Sequence, residues 1–114
     1  MRARQVGPYS APFCHAAEAW FWATSALAAR HVGCRSSSGS GVMRPCEPDD
    51  VVKCLDQLYQ AKRVNLAHAR VLLKWGRQQF RPSVKHPAEA GEARLWDEAM
   101  ARLEWVMRAK GIVA

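Results

Sequence analysis

The segment between Glu89 and Lys110 constrains the fold most, because its apolar residues recur every three or four positions. They cover one arc of a helical wheel: Leu95, Trp96, Ala99, Met100, Leu103, Val106 and Met107. The segment ends in Lys110-Gly111-Ile112, which supplies a cation for the last turn, a glycine for a left-handed turn and an apolar residue that folds back. This pattern predicts an amphipathic helix over about residues 89–110.

Two further helices are predicted in the N-terminal half. The first covers residues 11–31, with Pro12 in its first turn, where proline is tolerated. Its predicted buried face is Phe13, Ala17, Trp20, Phe21, Thr24, Leu27 and Ala28. The second begins at Pro48, and the aspartates at positions 49 and 50 suit the positive end of its dipole. Its apolar stripe is Val51, Cys54, Leu55 and Leu58, with Tyr59 beside it.

A third helix is predicted to begin after Asn65, a good N-cap residue, and to end before Pro82 and Pro87. Its predicted buried face is Leu66, Ala69, Leu72, Leu73, Gly76 and Phe80, and Trp75 lies off that face. No stretch alternates apolar and polar residues with period two over a useful length. The sequence therefore predicts a small all-α domain, a bundle of four helices.

The chain of 114 residues has the length of one domain. We expect a basic N-terminal arm over residues 1–10, with Arg2 and Arg4, and a single helical domain over residues 11–114. Serine and glycine are concentrated in residues 32–47, which predicts a flexible loop between the first two helices.

Positive charge is concentrated between Gln57 and Ala88. The formal net charge of the chain is +7 and its pI is about 9.8. This block contains no acidic residue, and its basic residues are Lys62, Arg63, Arg70, Lys74, Arg77, Arg81 and Lys85. Such a one-sign block indicates a surface that meets a polyanion.

Four of these cations are predicted to form a stripe along the third helix. Arg70, Lys74, Arg77 and Arg81 follow the spacing i, i+4, i+7, i+11, which places them within about 60° on a helical wheel. With no acid among them, they suit a phosphate backbone. The alternative is a solvated helix face, since lysine and arginine are good helix formers.

A second candidate surface lies on the fourth helix. Trp105 projects opposite the apolar arc, close to Arg94, Arg102 and Arg108. An aromatic ring among arginines can stack on a base or anchor a partner protein. The alternative is that Trp105 packs against the first helix or the serine-rich loop.

The cysteines and histidines do not predict a metal site or an enzyme. Zinc sites usually contain one tight pair of ligands, and the cysteine spacings here are long and irregular. Cys14, Cys46 and Cys54 are the best candidates if a site exists; otherwise we expect free thiols and no cofactor. Cys14 and His15 lack a third, orienting group, and no phosphate-binding loop is present, so we predict no catalytic role.

The sequence also bears on location. No apolar run approaches the roughly 20 residues of a membrane span. The region of residues 11–29 lacks the continuous leucine-rich core of a signal peptide. We therefore expect a cytoplasmic protein without membrane contact.

Four strings resemble a family of small uncharacterised bacterial proteins: Pro12–His15, Glu18–Trp22, Arg44–Pro48 and Lys110–Val113. This likeness covers nearly the whole chain and implies no activity. A looser likeness covers about the last 65 residues: Leu72–Gly76 and the terminal helix are similar to the helix-turn-helix end of phage late-gene regulators. It implies that the fourth helix, with Arg94 leading, reads a DNA groove while the third contacts phosphate.

Two functions follow as expectations. The first is a non-enzymatic nucleic-acid-binding protein, with duplex DNA favoured as the ligand, acting in transcription regulation. The second is a protein-interaction adaptor or inhibitor, because five tryptophans exceed what so small a core requires. The oligomeric state stays open.

Overall fold

The computed structural model of the protein describes residues 11–31 and 44–114, which fold into four helices without a strand. They are α1 (Ala16–His31), α2 (Pro48–Gln60), α3 (Leu66–Gln78) and α4 (Ala90–Ala109). The predicted all-α bundle is therefore confirmed. The predicted basic arm and most of the predicted serine-rich loop lie outside the described residues.

The helices pack around one apolar core. Helices α1 and α4 each contact the other three, whereas α2 and α3 chiefly contact α1 and α4. The largest fully buried side chains are Trp20, Trp96, Phe13, Leu72, Leu103 and Met107. None of the helices in the described parts of the chain combines the length and apolarity needed to cross a membrane.

Helix α4 and its end agree with the sequence analysis. Trp96, Ala99 and Leu103 on the predicted arc are buried. After the helix, Gly111 adopts a positive φ of 80° and the N–H of Ile112 donates to the carbonyl of Met107 at 2.9 Å. This turn satisfies a terminal carbonyl of α4 and brings the last residues back onto the core.

The predicted start of the first helix is wrong. Residues 11–15 precede α1, and Phe13 pairs with the C-terminal segment instead: its N–H donates to the carbonyl of Ile112, and its carbonyl accepts from Ala114, both at 2.9 Å. Pro12 lacks an N–H and disfavours helical geometry in the residue before it. Phe13 thus enters the core from extended backbone.

The buried face of α1 also differs from the prediction. Alanines 16, 19 and 23 are fully buried together with Trp20, whereas Phe21 is only partly buried and Ala28 is exposed. Small side chains allow neighbouring helices to approach closely, so the alanines line the contact beside Trp20, while the rings of Phe21 and Trp22 are only partly buried.

Helix α3 begins as predicted. The Oδ1 of Asn65 accepts from the N–H groups of Ala67 (2.9 Å) and His68 (3.2 Å), which caps the helix. The predicted start of α2 at Pro48 is confirmed too, and Asp50 accepts from the N–H of Glu47 at 2.9 Å. The apolar stripe of α2 is buried as expected: Val51, Cys54, Leu55 and Leu58.

The predicted buried face of α3 is wrong by roughly a quarter turn. The residues that face inward are His68, Val71, Leu72, Trp75 and Gly76. Leu66 and Leu73 are half-exposed, and so is Phe80, which lies beyond the end of the helix. Acceptors on α4 explain the rotation: Glu98 binds the ring of His68 at 2.9 Å, and Glu92 accepts from the indole N–H of Trp75 at 3.1 Å.

Helices α1 and α3 cross at a glycine. A Cβ added to Gly76 would lie 2.8 Å from the indole Nε1 of Trp20 and 2.9 Å from the Cγ2 of Thr24. The same indole donates to the carbonyl of Leu72 at 2.8 Å, a fully buried bond. A side chain at position 76 would therefore displace both helices or break this bond.

Candidate nucleic-acid interface

The structure exposes all four residues of the predicted stripe, but it neutralises two of them. The Nζ of Lys74 lies 3.0 Å from the Oε1 of Glu92, and Arg81 lies 2.7 Å from the Oδ1 of Asp97. The expectation that no acid compensates the stripe is therefore wrong for Lys74 and Arg81. Both carboxylates belong to α4, which packs beside α3, so a count along the sequence does not reveal them.

Arg81 also departs from the predicted ridge. Helix α3 ends at Gln78, and Gln79 adopts a left-handed φ of 63°, which breaks the helical spacing before Arg81. Arg81 lies in the connection to α4, and its guanidinium binds the side of α4. The helical wheel that places Arg81 beside Arg70 therefore does not apply, because the helix ends at Gln78.

Arg70 and Arg77 remain as free cations on the outer face of α3. Both are exposed, and within residues 11–31 and 44–114 neither has a carboxylate at ion-pair distance. They lie two turns apart, about 10 Å along the helix axis. Leu66 and Leu73, 51% and 50% exposed, alternate with them along the same face.

Glu92 of α4 binds two side chains of α3 at the edge of the contact between the two helices. It accepts from the ammonium of Lys74 at 3.0 and 3.2 Å and from the indole of Trp75 at 3.1 Å. The hydrogen bond from Lys74 is the main cause of the lowered pKa of Glu92, with a further contribution from Trp75 against the opposing effect of burial. The ammonium of Lys74 is thus engaged with α4 at the surface of the bundle.

Glu98 forms a second contact between the same helices and lies among arginines. Its hydrogen bond with His68 is the largest cause of its lowered pKa; the charges of His68, Arg102 and Arg94 act in the same direction against burial. Arg102 also donates from Nη1 to the main-chain carbonyl of Glu98 at 2.9 Å. Arg94, Arg102 and Trp105, predicted as one surface, lie along the outer ridge of α4 on both sides of Glu98.

Trp105 projects away from the bundle and is 71% exposed, so it does not pack against α1. On one side of its ring lies a groove of about 750 Å³ between the end of α2 and α4. The lining combines apolar side chains with two arginines and contains no acid: Gln57, Leu58, Ala61, Arg63, Ala101, Arg102, Trp105 and Val106. We call it the Trp105 groove.

Arg63 is a groove residue that the sequence analysis counted in the basic block but did not place in a site. It lies in the turn between α2 and α3, where its N–H donates to the carbonyl of Leu58 at 2.8 Å. The preceding residue, Lys62, has a positive φ of 62°, which reverses the chain direction. Only the packing of this turn against α4 brings Arg63 beside Arg102.

The opposite side of the Trp105 ring differs in charge, because acidic side chains lie there. A smaller depression of about 450 Å³ there is lined by Asp97 and Glu104 together with Arg108. Arg108 binds Glu104 at 2.9 Å, and Glu104 also accepts from the N–H of Ala16 at the start of α1. The indole therefore separates an acid-free groove from a depression that contains two carboxylates.

The cysteines offer no assembled metal site in the described part of the chain. No group of three or more histidine, cysteine or acidic side chains is placed to hold a metal ion there. Cys54 is buried, and burial is the main cause of its raised pKa, so its thiol stays protonated at neutral pH. Cys14 is exposed, and its N–H donates to Glu18 at 2.8 Å.

The connection between α3 and α4 differs from that of a helix-turn-helix. It spans residues 79–89, whereas that motif uses a turn of about three to four residues. Comparison of the chain with protein-family models, curated proteins and solved structures found no match. Both resemblances inferred from the sequence remain predictions.

Proposed function

We propose that this is a non-enzymatic nucleic-acid-binding protein. The observation that carries the proposal is the pair Arg70 and Arg77, two exposed guanidinium groups on one helix face that have no carboxylate at ion-pair distance in the described part of the chain. Arg94 and Arg102 add positive charge on α4, the helix packed beside α3. Phosphate groups are the polyanion that such spaced, exposed arginines suit best.

Binding requires no chemical step. Arg70 and Arg77 contact phosphates directly and release condensed counterions, so affinity falls steeply as salt increases. Lys74 and Arg81 contribute less, because Glu92 and Asp97 compensate their charge at short distance. Duplex DNA is the first ligand to test, since the helix-turn-helix resemblance implies it, and transcription regulation is the role we infer from binding of that kind.

Fluorescence anisotropy with a labelled random duplex tests the proposal at about 50 and 200 mM salt. We expect binding at the lower salt that weakens by orders of magnitude at the higher one. The variant Arg70→Glu/Arg77→Glu should lose at least tenfold in affinity. A charge-matched control, Lys53→Glu/Lys110→Glu, makes the same change at exposed positions on α2 and after α4. Equal losses in both variants, or no binding by the wild type, would refute the proposal.

A second function is supported by Leu66 and Leu73, which alternate with Arg70 and Arg77 on the same exposed face. This combination suits an acidic amphipathic helix of a partner protein, whose carboxylates would meet the arginines and whose apolar side chains would meet the leucines. A second copy of the chain fits poorly, because an antiparallel pairing of this face brings arginine against arginine.

The two functions are separable by a designed probe. A synthetic helix with leucine and glutamate at heptad spacing should bind the wild type and lose affinity for Leu66→Ala/Leu73→Ala. The same variant should keep its affinity for nucleic acid, because the arginines are untouched. If the peptide does not bind, the partner-protein function is excluded for this face.

A further inference from the structure

Trp105 is an exception among the tryptophans of this chain. All five lie in the described residues: Trp20, Trp75 and Trp96 are buried, and Trp22 is partly buried against the core. Trp105 leaves 71% of its surface in water. A large aromatic ring held on a rigid helix face in solvent is a common anchor for a ligand with its own flat apolar surface.

The two sides of the indole differ in charge. The side towards α2, the Trp105 groove, contains Arg63 and Arg102 and no acid. The other side contains Asp97 and Glu104, which bind Arg81 and Arg108. An anionic ligand that contacts the ring is therefore attracted more strongly to the groove side, because the cations on the other side are already paired with carboxylates.

We propose that the Trp105 groove binds an unpaired nucleotide of a single-stranded nucleic acid. The base stacks on the indole over the apolar floor of Leu58, Ala61 and Val106, and its phosphate lies between Arg63 and Arg102. The groove volume of about 750 Å³ is within the range of small-ligand sites. This inference rests on the proposed function and adds a single-stranded ligand, bound on α4, to the duplex proposed there for α3.

The reason for an unpaired base is geometric. In a duplex, both faces of each internal base are covered by its neighbours, so an indole on a helix ridge has no base face to contact. A single strand exposes those faces, and one nucleotide supplies a flat ring and an anion together. The flat ring of such a nucleotide suits the indole, and its phosphate suits the two guanidinium groups in the same groove.

Anisotropy with labelled oligonucleotides of about ten residues tests this inference. The probes are oligo(dT), oligo(U) and a mixed-sequence duplex at equal salt. We expect both single strands to bind more tightly than the duplex. Trp105→Ala should weaken single-strand binding about tenfold and duplex binding less than twofold, while Trp105→Phe, which keeps an aromatic face, should retain most of the affinity.

A matched pair of arginine variants tests which side of the ring is used. Arg102→Gln and Arg108→Gln remove the same charge from opposite sides of Trp105. We expect Arg102→Gln to weaken single-strand binding at least threefold and Arg108→Gln to leave it unchanged. Thermal melting by circular dichroism checks that each variant is folded. We expect it to be, because Arg102 and Arg108 are exposed, as is Trp105.

The outcomes distinguish this inference from the proposed function. If no nucleic acid binds, both fail. If the duplex binds and depends on Arg70 and Arg77, while single strands show no preference and no dependence on Trp105, only the groove inference fails. Binding of an acidic peptide that depends on Trp105, without single-strand binding, would overturn the nucleotide as occupant in favour of a protein.

Discussion

Helix α3 meets its two neighbours in different ways. Towards α1 the contact contains a buried hydrogen bond and depends on shape: Gly76 lies against Trp20 and Thr24, and the Trp20 indole donates to the carbonyl of Leu72. Towards α4 the edge of the contact is polar: Glu92 and Glu98 bind side chains of α3 at 2.9 to 3.1 Å. The first contact tolerates no added volume, and the second responds to charge and pH.

Because the two contacts of α3 differ in this way, we expect substitutions in them to affect the stability of the protein and its binding of anions differently. Among the described residues, those at the crossing of α3 and α1 around Gly76 are uncharged, so changes there should alter folding without altering the electrostatic surface. In the contact with α4, Glu92 also compensates the charge of Lys74, and Asp97 compensates the charge of Arg81. Changes to those acids should alter both stability and anion binding, in opposite directions.

The largest effect is expected at the α1–α3 crossing. Gly76→Ala places a methyl group 2.8 Å from the Trp20 indole, which forces the helices apart or disrupts a buried hydrogen bond. Overpacking of this kind costs about 2 to 3 kcal/mol in the free energy of unfolding. Urea denaturation followed by circular dichroism measures the loss.

Gly91→Ala is the matched control for this prediction. The added Cβ has no atom within 4 Å and the position lies in the first turn of α4. Alanine has the higher helix propensity, so the variant should be as stable as the wild type or more stable by up to about 1 kcal/mol. Similar losses in both variants would show that the α1–α3 contact is not limited by shape.

The sequence predicted best the elements whose determinants are local. Pro48, Asn65 and Gly111 identify helix ends from a few neighbouring residues, and the arc of α4 is apolar throughout. The buried face of α3 was missed because His68 and Trp75 face inward only where α4 supplies acceptors. Those acceptors are 17 to 30 positions away in the chain.

Prediction of the candidate site from the sequence was limited in the same way, by contacts between residues that are distant in the chain. Helical spacing correctly placed Arg70, Lys74 and Arg77 on an exposed face, and Trp105 outside the core. It missed the neutralisation of Lys74, because a helical wheel contains no information on the helix beside it. Arg63 was missed for a related reason, since only the turn after α2 and the packing of α4 create the groove.

The polar edge between α3 and α4 should make stability depend on acid pH. Glu92 and Glu98 have pKa values below the ordinary value in the folded state, chiefly because Lys74 and His68 hydrogen-bond to their ionised forms. Their contribution to stability is therefore complete above the unfolded pKa of about 4.3 and is lost as pH falls through the lower, folded pKa values. Urea midpoints measured between pH 7 and pH 3 should decline in that window.

Glu98→Gln isolates one of these carboxylates. At pH 7 the variant should be less stable than the wild type, because the neutral amide binds His68 more weakly. The difference between the two proteins should shrink as pH falls through the lowered folded pKa of Glu98, because protonation removes the charge of the wild-type carboxyl. A constant difference across the whole pH range would indicate that packing, and not the charge of Glu98, accounts for the effect.

The smallest effect on stability, and the most informative for function, is expected for Asp97→Asn. This change releases Arg81 from an ion pair in which both side chains are more than half exposed, so the free energy of unfolding should fall by less than about 1 kcal/mol. It also removes a carboxylate from the acidic side of Trp105. Nucleic-acid affinity should rise a few-fold and fall more steeply with salt, because one more cation is free to contact phosphate.

Asp56→Asn provides the control, because Asp56 is exposed on α2 and has no cation at ion-pair distance within the described residues. Both variants raise the net charge by one, so a general electrostatic effect would strengthen binding equally in both. A larger gain for Asp97→Asn shows that this carboxylate of α4 locally limits anion binding by Arg81, in the connection between α3 and α4. Equal gains would mean that Arg81 acts only through the overall charge of the protein, and that its ion pair with Asp97 has no local consequence for binding.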